Sequence, residues 1–239
     1  MKAMIFAAGL GSRLHPVTSN KPKALVEVGG KTMLEHTLLH LKEHDITEVI
    51  INLHHFPGMI EEFVEDHEAF GMDVSFSREE KLLDTGGGLK KAAWFFNDDE
   101  PVLIRNVDIL SDLDLNEMVR RHRHHQPLAS LLVSKRETSR YLLFDEQHRL
   151  CGWEHMKEGR QKIVREAATL QQMAFNGIHI VNPAILSLLP DKEVFSITEA
   201  YLELSKNHDI LAFEDTSSYW FDIGTSEKLE KARRFMAQK

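Results

Sequence analysis

The chain has 239 residues, 42% of them hydrophobic, with a formal charge of −8 and a single cysteine. That length and apolar content suit one large α/β domain better than two small ones, and the negative charge argues against a general nucleic-acid binder, which needs a basic face. Cys151 alone excludes an internal disulfide or a cysteine-rich metal site.

No apolar run approaches the ~20 residues needed to span a bilayer, so no membrane partner is expected. The N-terminus, MKAMIFAAGLGSR, has too short an apolar part for a secretion signal. A cytoplasmic protein is expected.

Met4-Ile5-Phe6 reads as a buried first strand. After the turn at Gly29-Gly30, Met33, Leu34, Thr37, Leu38 and Leu41 recur at helical spacing, with Thr32 and Glu35 as a capping box. Residues 49–53 predict a strand, 59–70 a helix, 74–76 a strand, 89–96 a helix and 102–104 a strongly apolar strand. This alternation predicts a Rossmann-like α/β fold with a largely parallel sheet covered on both faces. The second half is less regular. It predicts helices at 115–125 (starting near Asp112 or Asp114), after Pro183, at 196–206 and at 226–237. Strands are expected at 128–133, 141–144, 150–153, 174–181, 210–213 and 219–221, and the polar segment 157–172 fits neither pattern.

Residues 7–23, AAGLGSRLHPVTSNKPK, follow the first strand. Gly9 and Gly11 let the backbone bend and approach a ligand, and successive exposed N–H groups make a concavity for anions. Arg13, Lys21 and Lys23 add the fixed cations that a polyphosphate requires. A P-loop is excluded because no Lys-Ser or Lys-Thr stands at the required spacing. A dinucleotide loop is excluded because Leu14 replaces its third glycine.

The string AAGxGxRL followed by KPK resembles the signature of the sugar-phosphate nucleotidylyltransferases, in look closest to the muramate uridylyltransferase and mannose guanylyltransferase branch. The resemblance implies a three-layer α/β/α nucleotidyltransferase fold, GT-A-like, with a mixed, mostly parallel central sheet. It also implies one catalytic domain over 1–239. Residues 1–110 would form the nucleotide half and 111–239 the sugar-phosphate half with the second metal carboxylate, without the β-helical domain some relatives add.

The remaining motifs stand in the family's order. In Leu83-Asp84-Thr85-Gly86-Gly87-Gly88, three glycines before a helix would let the chain run under a nucleobase, although a flexible loop explains them too. Glu79 or Glu80 could accept a hydrogen bond from a base N–H, which guanine, uracil and thymine all offer. Glu80 joins Thr85, Gly86 and Gly87 in the expected nucleotide set, beside Ala8, Gly9, Leu10, Gly11 and Ser12 of the first loop. Asp108, in Arg105-Asn106-Val107-Asp108, follows the fourth strand, where ligands of open α/β sheets bind. It resembles the family's metal aspartate, and Asn106 would orient it or hold a sugar hydroxyl. Trp220-Phe221-Asp222-Ile223-Gly224-Thr225 is similar to the segment carrying the second one, Asp222, although an aspartate there could be a turn residue.

For the acceptor, Asn176 and Gly177 resemble the strand lining the sugar pocket, and Glu154 the glutamate that grips sugar hydroxyls. The family's lysine after that glutamate is displaced here, leaving Lys157, Lys162 or a group elsewhere for the sugar phosphate. The implied reaction joins a nucleoside triphosphate, UTP or GTP, to a sugar 1-phosphate and releases pyrophosphate. Arg13, Lys23 and Asp108 would be catalytic, with Mg2+ on Asp108 and Asp222. A cytidylyltransferase for choline phosphate or another phosphorylated alcohol is one alternative, and a non-catalytic nucleotide-binding regulator another. Family members often dimerise or tetramerise, so a homo-oligomer is among the expectations. His122, His124 and His125 read as a solvated, basic helix end favoured by the dipole, not as a zinc site.

Overall fold

The computed structural model describes residues 1–216 and 218–239. The chain divides into two compact units. The first comprises Met1–Leu82, Ile104–Leu113 and Ser218–Lys239, and the second Leu83–Leu103 and Asp114–Ser217.

In the first unit, strand Glu48–Leu53 pairs in parallel with Lys2–Phe6 on one side and Asp73–Arg78 on the other. Lys2–Phe6 is buried throughout, and Glu48–Leu53 beyond its first residue. Strands covered on both faces read as continuous apolar runs, which is why the sequence announces them. Helix Met33–Glu43 starts as expected, its Thr32 side chain accepting the Glu35 N–H at 3.1 Å. The helix expected over 59–70 instead spans Pro57–Asp66, because Glu68, Ala69 and Phe70 all adopt positive φ, which no helix can contain. The C-terminal strand Trp220–Asp222 pairs antiparallel with Ile109–Ser111, and helix Ser226–Met236 follows. Leu14, Val26, Val28, Met33, Leu110, Ile223, Leu229 and Ala232 form one buried cluster, so residues far apart in sequence share a core.

In the second unit, strand Ala129–Ser134 lies between Gln171–Val181, antiparallel, and Ile210–Glu214, parallel. Gln171–Val181 also pairs with Arg140–Phe144, which pairs with Leu150–His155, which pairs with Arg160–Ile163. The ambiguous segment thus holds a strand whose four residues are all exposed, and so carries no apolar alternation to read. Asp114, not Asp112, caps helix Leu115–His125, accepting the Glu117 N–H at 3.2 Å.

Two sequence expectations are corrected here. Thr85 to Gly88 are not a loop before a helix at 89–96; they lie inside helix Asp84–Lys91. A Cβ on Gly86 would strike the Phe195 ring, and one on Gly87 the Glu193 carbonyl. Only glycine permits that approach, which offsets its cost of about 0.5–1 kcal/mol each in a helix. Among the three histidines, His124 and His125 are exposed as expected, but His122 is buried against Ser130 Oγ at 2.9 Å. Burial, with Arg123 beside it, lowers its pKa to about 4, so the ring is neutral. Among the described residues, no helix is long and apolar enough to cross a membrane.

Candidate active site

The first strand delivers the chain into the glycine loop, whose shape is fixed by a few contacts. Asn52, buried at the end of the adjacent strand, accepts the Ala7 N–H at 2.7 Å. Gly11 has φ +65, and a Cβ there would lie 3.2 Å from Thr18 and 3.4 Å from Lys23. Its left-handed conformation favours glycine, and a Cβ there would press closely on Thr18. Its carbonyl accepts from Thr18 Oγ1 and from the Leu14 N–H, both at 2.9 Å. Buried Leu14 and Thr18 anchor the loop, while Gly9, Leu10, Ser12 and Arg13 remain exposed and Ala8 is buried. This arrangement leaves backbone and cation accessible to an anion.

Lys23, in a tight turn after Pro22, forms an ion pair with Asp108 Oδ2. Asp108 follows strand Val102–Asn106, whose last residue, Asn106, is half-buried. Asp222 ends its own strand opposite Ile109, and the Ile223 N–H bonds the Asp108 carbonyl at 3.1 Å. Backbone pairing thus brings the two aspartates to neighbouring positions. Asp222 Oδ1 accepts the Gly224 N–H at 2.6 Å, and Oδ2 accepts from Lys228 Nζ at 2.5 Å. Burial pushes the Asp222 carboxyl up, but Lys228, Gly224 and the charge of Lys23 outweigh it and hold the group below the ordinary range. A Cβ on Gly224 would lie 2.7 Å from Asp222 Oδ1 and 3.3 Å from Arg13 Nη2, so Arg13 and Asp222 both border that glycine. Arg13, Lys23, Asp108 and Asp222 all belong to the first unit.

Buried Arg105 donates Nη2 to the Ile109 carbonyl and Nη1 to His40 Nδ1, both at 2.8 Å. Since arginine only donates, His40 accepts at Nδ1 and gives its Nε2–H to the Leu113 carbonyl at 2.9 Å. Burial first, then the Arg105 and His44 charges, take His40 to about 3, leaving it neutral. Burial likewise lowers Arg105 to about 10, and its Nε is a buried donor with no hydrogen-bond partner among the described residues. This bracket stiffens the turn that presents Asp108. The sequence contains Arg105 and His40 but no local sign that they meet.

Of the two candidate base readers, Glu79 is buried and Glu80 exposed. Glu79 Oε1 accepts from Asn52 Nδ2 at 2.7 Å, so Asn52 joins that carboxylate to the start of the glycine loop. A polar residue interrupting the apolar run of residues 49–53 was the available signal for Asn52. In the second unit, the Gly86 and Gly87 N–H groups bond the Phe195 carbonyl at 2.9 and 3.2 Å, and Thr85 Oγ1 accepts from the Ile197 N–H. The packing of this helix therefore uses the glycines.

Also in the second unit, Asn176 is held by Ser134 and by Arg136, whose Nε donates at 2.9 Å. Gly177 has φ +75 where the register of its strand shifts between Phe175 and His179. Glu154 accepts from Gln172 Nε2 at 2.5 Å. Lys157 and Lys162 are both exposed, Lys162 in register with Trp153.

Among the described residues, no three or more His, Cys, Asp or Glu side chains group to hold a metal by themselves. Two neighbouring carboxylates suit an ion that completes its shell with phosphate oxygens and waters, as Mg2+ commonly does. The donor set fits that ion.

Residues 2–239 match the family model described as nucleotidyl transferase. A mannose-1-phosphate guanyltransferase of Yarrowia lipolytica is 29% identical over 231 residues, covering 94% of this chain and 61% of the relative. The chain thus spans about three-fifths of the length of the curated relatives it matches. HddC of Yersinia pseudotuberculosis, solved with GMP-PN, gives a TM-score of 0.78 at 22% identity over 98% of both chains. UDP-glucose pyrophosphorylase, solved with UDP-glucose, gives 0.80 at 16% identity over 99% of this chain and 98% of that one. These likenesses establish the fold, the α/β nucleotidyltransferase architecture with its mixed, mostly parallel central sheet.

Proposed function

We propose, because the chain belongs to the nucleotidyl transferase family, that it condenses a nucleoside triphosphate with a sugar 1-phosphate to give a nucleoside diphosphate sugar and pyrophosphate. The observation that carries this reading is the gathering of Arg13, Lys23, Asp108 and Asp222 beside an exposed glycine loop within one unit.

A phosphate oxygen of the acceptor attacks the α-phosphorus in line, and the bond to the pyrophosphate oxygen breaks. Such transfers depend mainly on positioning and charge neutralisation. The loop amides of Leu10 to Ser12 complete the cradle for the triphosphate. Arg13 neutralises charge growing on the departing pyrophosphate, as a planar donor fork suits. Lys23, with its mobile ammonium, turns from Asp108 to the α-phosphate. No general base is needed, because a phosphate dianion is already nucleophilic. Asp108 and Asp222 would hold Mg2+, which when bound supplies charge neutralisation across the phosphates.

Glu79 or Glu80, with Thr85, is proposed to read the base. Asn106, Asn176, Gly177, Glu154 and either Lys157 or Lys162 are proposed for the acceptor. GTP with mannose 1-phosphate is the first pair to try, on the name of the Yarrowia relative, and UTP the second. The proposed location is the cytoplasm, the proposed organisation a single catalytic domain, and a homo-oligomer is the proposed assembly.

The test is phosphate release with Mg2+ and inorganic pyrophosphatase, crossing five nucleoside triphosphates with sugar 1-phosphates and choline phosphate. One strong sugar pair is the expected outcome. Activity confined to choline phosphate would replace the acceptor class. Absence of triphosphate binding would remove the reading altogether.

A further inference from the structure

Lys228 lies outside every motif that carries the family resemblance, yet it touches the candidate centre directly. It stands in the first turn of helix Ser226–Met236, three residues past Thr225, whose side chain caps that helix. Its Nζ meets Asp222 Oδ2 at 2.5 Å, while Gly224 N–H occupies Oδ1 at 2.6 Å. Asp108 has a lysine of its own in Lys23. Each of the two carboxylates therefore carries a tethered cation.

The two lysines differ in setting. The Lys23 side chain is 13% exposed and belongs to the glycine loop, whereas that of Lys228 is 45% exposed. Lysine is a compact charge on a flexible stem, so Lys228 can swing into water without losing packing. A divalent ion and an ammonium on one carboxylate repel each other at contact distance.

We propose that Lys228 is a built-in counter-ion of Asp222 that competes with a divalent ion for this carboxylate. The inference rests on the reading of Asp222 as a metal carboxylate. Its consequence is conditional loading: the ion binds Asp222 weakly alone and firmly once triphosphate oxygens supply further ligands and negative charge.

The test is Mn2+ binding to the full chain, followed by the electron paramagnetic resonance of free Mn2+ and by calorimetry. Wild type, Lys228→Met, Lys228→Arg and Asp222→Asn are compared with and without a non-hydrolysable triphosphate. Lys228→Met should bind Mn2+ more tightly by on the order of tenfold without nucleotide, with a smaller gain in its presence. Lys228→Arg, which keeps the charge, should stay near wild type, and added salt should shrink the difference. Equal or weaker binding by a folded Lys228→Met protein, while Asp222→Asn abolishes binding, would overturn the counter-ion role alone. Unchanged binding by Asp222→Asn would instead overturn the metal reading beneath it.

Discussion

Ile223 donates its backbone N–H to the carbonyl of Asp108 at 3.1 Å. The residue after one candidate metal carboxylate is thereby bonded to the residue bearing the other. Strand pairing extends the link, with Asp222 opposite Ile109 and Trp220 opposite Ser111. A site carried on paired strands holds its geometry better than one on free loops.

Removing either negative charge should stop turnover while sparing much of the nucleotide affinity. Asp108→Asn and Asp222→Asn are each expected to lower the rate by on the order of a thousandfold. Pyrophosphate release and equilibrium triphosphate binding, measured side by side, check this. Near-normal turnover in either variant would remove that aspartate from the centre.

Arg13 is exposed, so Arg13→Ala should leave the melting temperature within the small range of ordinary surface changes, about ±0.5 kcal/mol in stability. Its kcat should fall by orders of magnitude with a smaller change in KM, the pattern of an interaction made in the transition state. A loss confined to KM would make Arg13 a binding residue only.

Two glycines give opposite expectations. Gly87→Ala drives a Cβ into a backbone carbonyl that cannot rotate away, and should cost about 1–3 kcal/mol in urea denaturation. Gly9 has nothing within 4 Å of a Cβ and needs no positive φ. Gly9→Ala should therefore fold normally and weaken triphosphate binding, because a methyl group would stand where the backbone meets the ligand. Normal affinity in Gly9→Ala would place the phosphates elsewhere.

Much of this was legible before the structure. The parallel strands Lys2–Phe6 and Glu48–Leu53 announce themselves because nearly all their residues are buried. The cap of Thr32 on Glu35 is a local contact, and local contacts are written at fixed spacing. The run at Gly86 and Gly87 was hard to read because glycine marks close approach without saying what approaches. Here it is the 193–195 segment, more than a hundred residues away. Asn52, Arg105 with His40, and Lys228 stayed hidden for the same reason: each acts through a partner that only tertiary folding supplies.

Three buried histidines set a pH dependence of stability. Burial holds His40 at about 3, His122 at about 4 and His179 at about 3, against 6.5 when unfolded. Between those values the unfolded chain binds more protons, so stability rises with pH across the window. It is fully present above about 6.5 and is lost as pH falls towards 4. Urea midpoints from pH 7 to pH 4.5 should decline accordingly. His122→Gln, which keeps a hydrogen-bonding group but cannot titrate, should show a shallower slope, and an identical slope would exclude His122 as a contributor.

The cluster joining Leu14, Val26 and Met33 to Leu110, Ile223 and Leu229 fixes an order of events during synthesis. The glycine loop leaves the ribosome well before Ile223, Leu229 and Ala232, which close the core beneath Leu14. Domains tend to fold as units while the chain is being made, and the unit holding Arg13 and Lys23 is complete only with residues 218–239. Nascent chains halted before that point would carry the triphosphate loop without its hydrophobic floor and without Asp222. Structural maturation and chemical competence therefore arrive together, once residues 218–239 have been made.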